Sequence, residues 1–308
     1  MLAGLDVAGL TGIEVGPLNR PLVSRGDGSI LYVDHADTAS LRRKYAADPN
    51  VKIDEIADVD AVWGDNTLLD AVGRTVDYVV ASHVIEHVPD LISWLAEVRD
   101  VLVPGGQLRL AVPDRRFTFD YYRSETRLSD VVHAWLLKAR RPLSHSILDF
   151  CLEVVEVDPI AAWQGEIPAP KPMYDLQASL SLAADARDNG AYHDVHCWVF
   201  TPISFAQLMG RLAALGLADF SCRGFFETKP NTLEFIVHAQ RCNDAAMAAA
   251  SWNTVSERLQ AETQGDREHE DAQPSRTLAL LREREAELAA LRMTVKTLRA
   301  EIGVTHNS

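Results

Sequence analysis

The chain has 308 residues, 47% hydrophobic and 24% charged, which is ordinary for one large α/β domain with a well-buried core. Its net charge of −14 lies mostly in residues 1–240, and so acidic a surface disfavours a nucleic-acid partner. No apolar run reaches the roughly 18 residues that a spanning helix needs, and the first residues lack a basic stretch or a cleavage pattern. Neither a membrane span nor a secretory leader is therefore expected.

In chain order, short apolar runs alternate with helical patterns. Strands are expected at Gly12–Val15, Ile30–Val33, Val51–Ile56, Val76–Ala81 and Gln107–Val112. The Val76–Ala81 run is nearly continuous in its apolar character, as a strand covered on both faces should be. Leu91–Leu102 reads as an amphipathic helix stopped by Pro104, Gly105 and Gly106. Strand, helix and parallel strand in that order imply a doubly wound, mostly parallel α/β sheet.

From Arg115 the pattern loosens into helical segments and a Pro-rich piece, and residues 115–192 read as an inserted helical lid, too long for a plain connection. Ser204–Leu215 then looks helical, and Ala218–Gly224 and Leu233–Ala239 read as a closing pair of strands. These segments make one domain over 1–242. Residues 243–275 read as a polar linker. Over 276–303 a heptad appears, with Leu281, Leu288, Val295 and Ile302 at one apolar position and Leu291 and Leu298 at the other. Arg284 interrupts the second series once. A coiled coil that makes the chain a homo-oligomer is preferred over a lone helix packed on its own domain. The four cysteines, Cys151, Cys197, Cys222 and Cys242, form no CxxC pair and fit buried thiols in a reducing, cytoplasmic compartment.

Three segments carry candidate chemistry. Gly12–Pro21 is a strand running into a glycine turn at Gly16, and Asp34 follows 18 residues later at the end of the next strand. A nucleotide-type ligand needs such a turn for close backbone approach and an acidic group for its ribose. The second segment is Val76–Asp90 with the following helix and Val101–Asp114. Here the chain resembles the class I S-adenosylmethionine-dependent methyltransferases, whose fourth strand, next helix and fifth strand commonly carry this run. The likeness covers residues 10–115 well and 193–239 more loosely.

The resemblance implies a Rossmann-like fold, S-adenosylmethionine as cofactor, and roles for particular residues. Glu14 and Gly16 take the first motif's acidic and glycine positions, near the methionine part. Asp34 meets both ribose hydroxyls. Asp60 and Ala61 match the site that meets the adenine amine, with Asp65 as a rival. Ser82 and His83 line the methionine side, and His87 faces the acceptor. One departure stands out: the three alternating glycines of that motif are here Gly16-Pro-Leu-Asn19. Pro17 removes a donor and Leu18 adds bulk. A short helix is expected to follow.

His83-Val-Ile-Glu-His87 also spells H-x-x-E-H, but Pro89 cuts off the regular helix that a zinc protease would need. No metal site is expected from it. In the third segment, Tyr192–Trp198, His193 and His196 are candidate proton acceptors for a hydroxyl, ligands for a metal that acidifies it, or structural groups at the lid junction. Two histidines alone make a thin metal site. Arg115 and Arg116 are candidates for an anion on the acceptor. Together these readings describe methyl transfer to a hydroxyl of a small molecule or saccharide. The alternative is a non-catalytic methyltransferase-like scaffold that recruits pathway enzymes through the coiled coil. A dinucleotide-dependent enzyme would need a G-x-G-x-x-G that the chain lacks.

Overall fold

The computed structural model describes residues 1–264. One compact unit runs from Met1 to Ser256, and a second begins at Glu257. The expected coiled coil lies outside the described residues. Seven strands form one sheet: β1 Thr11–Val15, β2 Ser29–Asp34, β3 Ala61–Val62, β4 Val76–Ser82, β5 Leu102–Pro113, β6 Phe220–Phe226 and β7 Glu234–Arg241. Their order is β3-β2-β1-β4-β5-β7-β6. β1 to β5 run parallel, while β7 is antiparallel to both β5 and β6. The helices are α1 Thr38–Lys44, α2 Leu68–Val72, α3 Leu91–Val101, α4 Leu128–Leu136, α5 Ser144–Glu153, α6 Pro159–Trp163, α7 Leu176–Asn189 and α8 Pro202–Ala214. This is a doubly wound, mostly parallel α/β sheet, as the order of strand and helix patterns implies.

Central β4 is buried from Tyr78 to Ala81, as its apolar run requires. Asp90 caps α3 by accepting from the Ser93 backbone, and Leu91, Leu95 and Val98 turn into the core at helical spacing. Each such side chain is worth about 1.5–3 kcal/mol of burial. The chain winds one way from β1 to β2 and the other from β4 to β5. The switch point between β1 and β4 therefore opens a crevice beyond their carboxyl ends.

Three expectations change. Val51–Ile56 is no strand: Ile53–Glu55 is a 3-10 turn, and the third strand is Ala61–Val62. Asp54 and Glu55 in succession put Ile56 out of phase with Ile53, three residues apart, which suits a 3-10 turn better than a pleat. No helix joins β1 to β2; turns occupy that connection, and Met1, Leu2, Leu5, Val7 and Leu10 pack over Val23, Ile30, Tyr32, Tyr78 and Val80. The segment 115–192 holds helices as expected, α4 to α7. Residues 243–275 do not begin as a linker. A helix runs over 245–264, with Ala248 and Trp252 buried, and the Trp252 indole donates to the Phe220 carbonyl at 2.7 Å.

His238 on β7 faces Arg109 on β5 and is 9% exposed. Burial, then the Arg109 charge, lowers its pKa to about 4. A histidine depressed in the folded state loses stability as pH falls from its unfolded value, about 6.5, toward the folded one. His238→Gln should therefore flatten the loss of unfolding free energy between about pH 6.5 and pH 4, measured by urea denaturation. An unchanged slope would contradict this.

Candidate functional site

The crevice is a cavity of about 1310 Å³, bounded by the ends of β1, β2 and β4, by α1 and α3, and by the strap at Tyr192 and Asp194. Its floor at β1 is set by Glu14, 2% exposed, whose carboxylate accepts from the Leu22 and Val23 backbones at 2.8 and 3.0 Å. Burial raises the Glu14 pKa and these two bonds oppose the rise. Glu14 thus lines the cavity with both oxygens engaged in pinning the loop. Gly16 turns at φ +66°, and a Cβ there would stand 3.0 Å from Val84. The backbone can approach a ligand because nothing projects from it. Leu18 is held at φ +43°, and the neighbouring Asn19 has a buried Nδ2 with no hydrogen-bond partner among the described residues.

Asp34, 5% exposed, ends β2 in the cavity wall. Its Oδ1 accepts from the His35 backbone at 2.7 Å and lies 2.6 Å from His35 Nδ1. Asp60 and Ala61 do not line the cavity. The Asp60 carboxylate is taken by Arg25 and the Tyr32 backbone, each at 2.8 Å, and Ala61 opens β3. Trp63, Gly64 and Asp65 stand there instead, with the Trp63 indole donating to Glu97 at 2.8 Å.

Ser82, His83 and His87 line the cavity where β4 ends. His83 has φ +53°, so 83–88 turns rather than coils, which rules out the helical H-x-x-E-H geometry. His87 Nδ1 lies 2.9 Å from Asp194 Oδ1, an ion pair whose angle falls short of a hydrogen bond. Lys44 meets the other Asp194 oxygen at 2.8 Å. Burial disfavours charge on Asp194, yet His87 and Lys44 hold its carboxyl well below the usual carboxylate range. Burial likewise opposes charge on His87, but Asp194 and Glu86 outweigh it and raise its pKa. His83 is raised in the same way, against burial, by Glu234 and Glu86.

His196, 6% exposed, packs edge-on to His87 with ring centroids 4.7 Å apart. Three bonds put it there. The Cys197 and Trp198 backbones donate to the Glu86 carbonyl at 2.7 and 3.3 Å, and the Trp198 indole donates to the Val88 carbonyl at 2.7 Å. His196 Nδ1 is 2.6 Å from Asp120 Oδ2, and Arg123, 1% exposed, donates to the His196 carbonyl, Asp120 and Asp149. His193 is elsewhere: its ring pairs with Asp185 at 3.0 Å and does not line the cavity. Arg115 and Arg116 also fall outside it, committed to the Tyr121 carbonyl and to Asp114. The cations that do line it are Arg20, Lys44, Lys138, Arg140 and Arg141.

Sequence reasoning missed Lys44, Asp194, Glu86, Asp120 and Arg123. Glu86 and Asp194 sat inside quoted segments beside the histidines and carried a signal. Asp120 and Arg123 fall in the stretch without periodicity and carried none.

Residues 5–108 match the family model described as a methyltransferase domain. That stretch, about a third of the chain, thus carries a methyltransferase domain, an enzyme's domain whose cofactor is S-adenosylmethionine. No curated protein matches it. Among solved structures it is similar to an S-adenosylmethionine-dependent methyltransferase from Mesorhizobium loti, at 14% identity over 77% of this chain and 93% of that one, with a TM-score of 0.39. It is also similar to a methyltransferase from Methanosarcina mazei, at 16% identity over 77% and 94%, TM-score 0.36. The CcbJ methyltransferase from Streptomyces caelestis follows at 13% identity over 77% and 91%, TM-score 0.36. Likenesses this distant say nothing of substrate. Among the described residues no helix is long and apolar enough to cross a membrane.

Arg123 compensates the buried Asp120, so removing it strands a buried charge. Arg123→Leu should cost about 3–5 kcal/mol in equilibrium urea unfolding. A loss below about 1 kcal/mol, the value of an exposed pair, would mean the network is not buried in solution.

Proposed function

Because the chain carries a methyltransferase domain, we propose that it transfers a methyl group from S-adenosylmethionine to a hydroxyl of a small molecule or saccharide. The observation that carries this reading is the pairing, across one cavity, of buried Asp34 with the His87–Asp194–Lys44 array. When bound, the cofactor supplies a methyl carbon on a positively charged sulfur, already activated for displacement.

The chain's own groups fit it. Asp34 keeps Oδ2 for the ribose diol while His35 occupies Oδ1. Asn19, with its unpartnered Nδ2, and Arg20 are donors for the methionine carboxylate, and Gly16 permits close approach. Ser82 and His83 border the methionine side. Trp63 and Asp65 offer an aromatic face and an acceptor to adenine. The acceptor then enters at the opposite side of His83, where His87 lines the cavity with the buried His196 packed behind it, and its hydroxyl gives up a proton. Lys44 and Asp194 fix the His87 ring for that task, and the strap at Tyr192 narrows access for water. Orientation rather than covalent chemistry is what the protein supplies.

A small acceptor is favoured over nucleic acid because the acidic surface opposes a phosphate backbone. Self-association through residues 276–303 rests on their heptad pattern alone. Incubating the protein with S-adenosylmethionine and pooled sugars and hydroxylated metabolites, with mass-spectrometric detection, should yield a singly methylated product. His87→Asn should lower its turnover by about a hundredfold or more, the usual worth of a group that manages a proton, while binding of S-adenosylhomocysteine is kept. Methylation confined to protein or nucleic acid would overturn the acceptor assignment.

A further inference from the structure

Glu86 is 1% exposed, and neither of its carboxyl oxygens has a hydrogen-bond partner among the described residues. The nearest imidazole on its own turn, His83, stands 3.5 Å from Oε1. A buried carboxyl normally has its oxygens satisfied, because leaving them bare costs the full desolvation of the group. A donor atom from each of Glu86, His87 and His196 lies within 4.8 Å of the others.

We infer that Glu86, His87 and His196 form a site for one divalent cation of the Zn²⁺ class in the cavity wall. Two imidazoles and one carboxylate are a nitrogen and oxygen set suited to Zn²⁺, with Co²⁺ as its spectroscopic stand-in, rather than to Ca²⁺ or Mg²⁺. Bonds of about 2.0–2.2 Å put ligand atoms about 3–4 Å apart around one ion, so small side-chain rotations close the set. Both imidazoles already carry the outer carboxylates that metal-bound histidines favour. Asp120 sits 2.6 Å from His196 Nδ1 and Asp194 2.9 Å from His87 Nδ1, which leaves Nε2 of each ring for the ion. Glu86 and His87 are neighbours in sequence, and the His196 segment is stitched to them by the Cys197 and Trp198 backbone bonds to the Glu86 carbonyl. This arrangement differs from the H-x-x-E-H protease pattern, since His83 is no ligand and no helix presents the set.

His87 lines the cavity, so the ion's open position faces an entering acceptor. A hydroxyl coordinated there is acidified by the ion and releases its proton to solvent, with the imidazoles holding the ion instead of taking that proton. That role rests on the proposed acceptor chemistry. Ion binding itself does not.

The full chain, stripped with a chelator, is to be titrated calorimetrically with Zn²⁺ and optically with Co²⁺. One ion per chain and visible Co²⁺ d–d absorption are expected. Glu86→Gln and His196→Asn should each weaken binding at least about tenfold, and Asp120→Asn, which acts through His196, by about 10–100-fold. Thermal unfolding without metal checks that Glu86→Gln is folded, through a cooperative transition like the parent's. Zn²⁺ should then raise the parent's midpoint and leave that variant's unmoved. Absence of saturable Zn²⁺ and Co²⁺ binding, or binding that a folded Glu86→Gln keeps undiminished, overturns the site. S-adenosylhomocysteine binding by the metal-free protein is read separately, so failure of the ion site leaves the cofactor reading standing.

Discussion

Arg123 is 1% exposed, and its guanidinium meets a carbonyl and two carboxylates from three distant parts of the chain. A guanidinium so enclosed has lost its water, and only the charges of Asp120 and Asp149 and the fixed fork of its donors recover that cost. Each partner is thereby positioned. Asp120, 2% exposed, is fixed where it can hold the His196 ring by Nδ1, and the His196 carbonyl is anchored from behind. Opposed by burial, the Asp120 carboxyl is still held below its usual range by His196 and Arg123. The His87–His196 contact, and hence the acceptor end of the cavity, follows from this one enclosed cation. The sheet supplies the crevice, but the inserted segment supplies the partner that completes it.

At the other end, the connection from β1 has no helix to direct backbone donors at a ligand. The loop is shaped instead by Glu14, which captures two backbone amides, and by Gly16 and Leu18 in left-handed conformations. The strain at Leu18 is tolerable because Ala57 donates to its carbonyl at 2.8 Å, tying the loop to the far side of β2. The Met1–Leu10 segment covers the apolar sheet face beneath it. The altered glycine motif is therefore compatible with a formed pocket, at the expense of an acidic side chain that no longer reaches outward.

Much of this was legible before any coordinates. The runs at β1, β2, β4 and β5 and the amphipathic α3 carry the periods that burial demands, so their type and order follow from the residues. Asp34 was legible because a strand end after a glycine turn has few other uses for a buried acid. Asp60 was not, since nothing local reveals that Arg25 and the Tyr32 backbone claim its carboxylate, leaving Asp65 at the cavity. His193 and His196 are equivalent in sequence; only the distant Asp120, Arg123 and Glu86 separate the buried ring from the one paired with Asp185. The helix over 245–264 had a signal in the alanines at 245, 246 and 248–250, the strongest helix formers, but nothing local reveals that Trp252 buries against β6.

The central claim is that the crevice between β1 and β4 takes the cofactor with Asp34 on its ribose. Calorimetric titration of S-adenosylhomocysteine into the full chain and into Asp34→Ala tests it most directly. Saturable binding by the parent, weakened at least about tenfold in the variant for loss of a buried charge-assisted hydrogen bond, is what the account predicts. Equal affinity in the two proteins, or no binding by the intact chain, would contradict it.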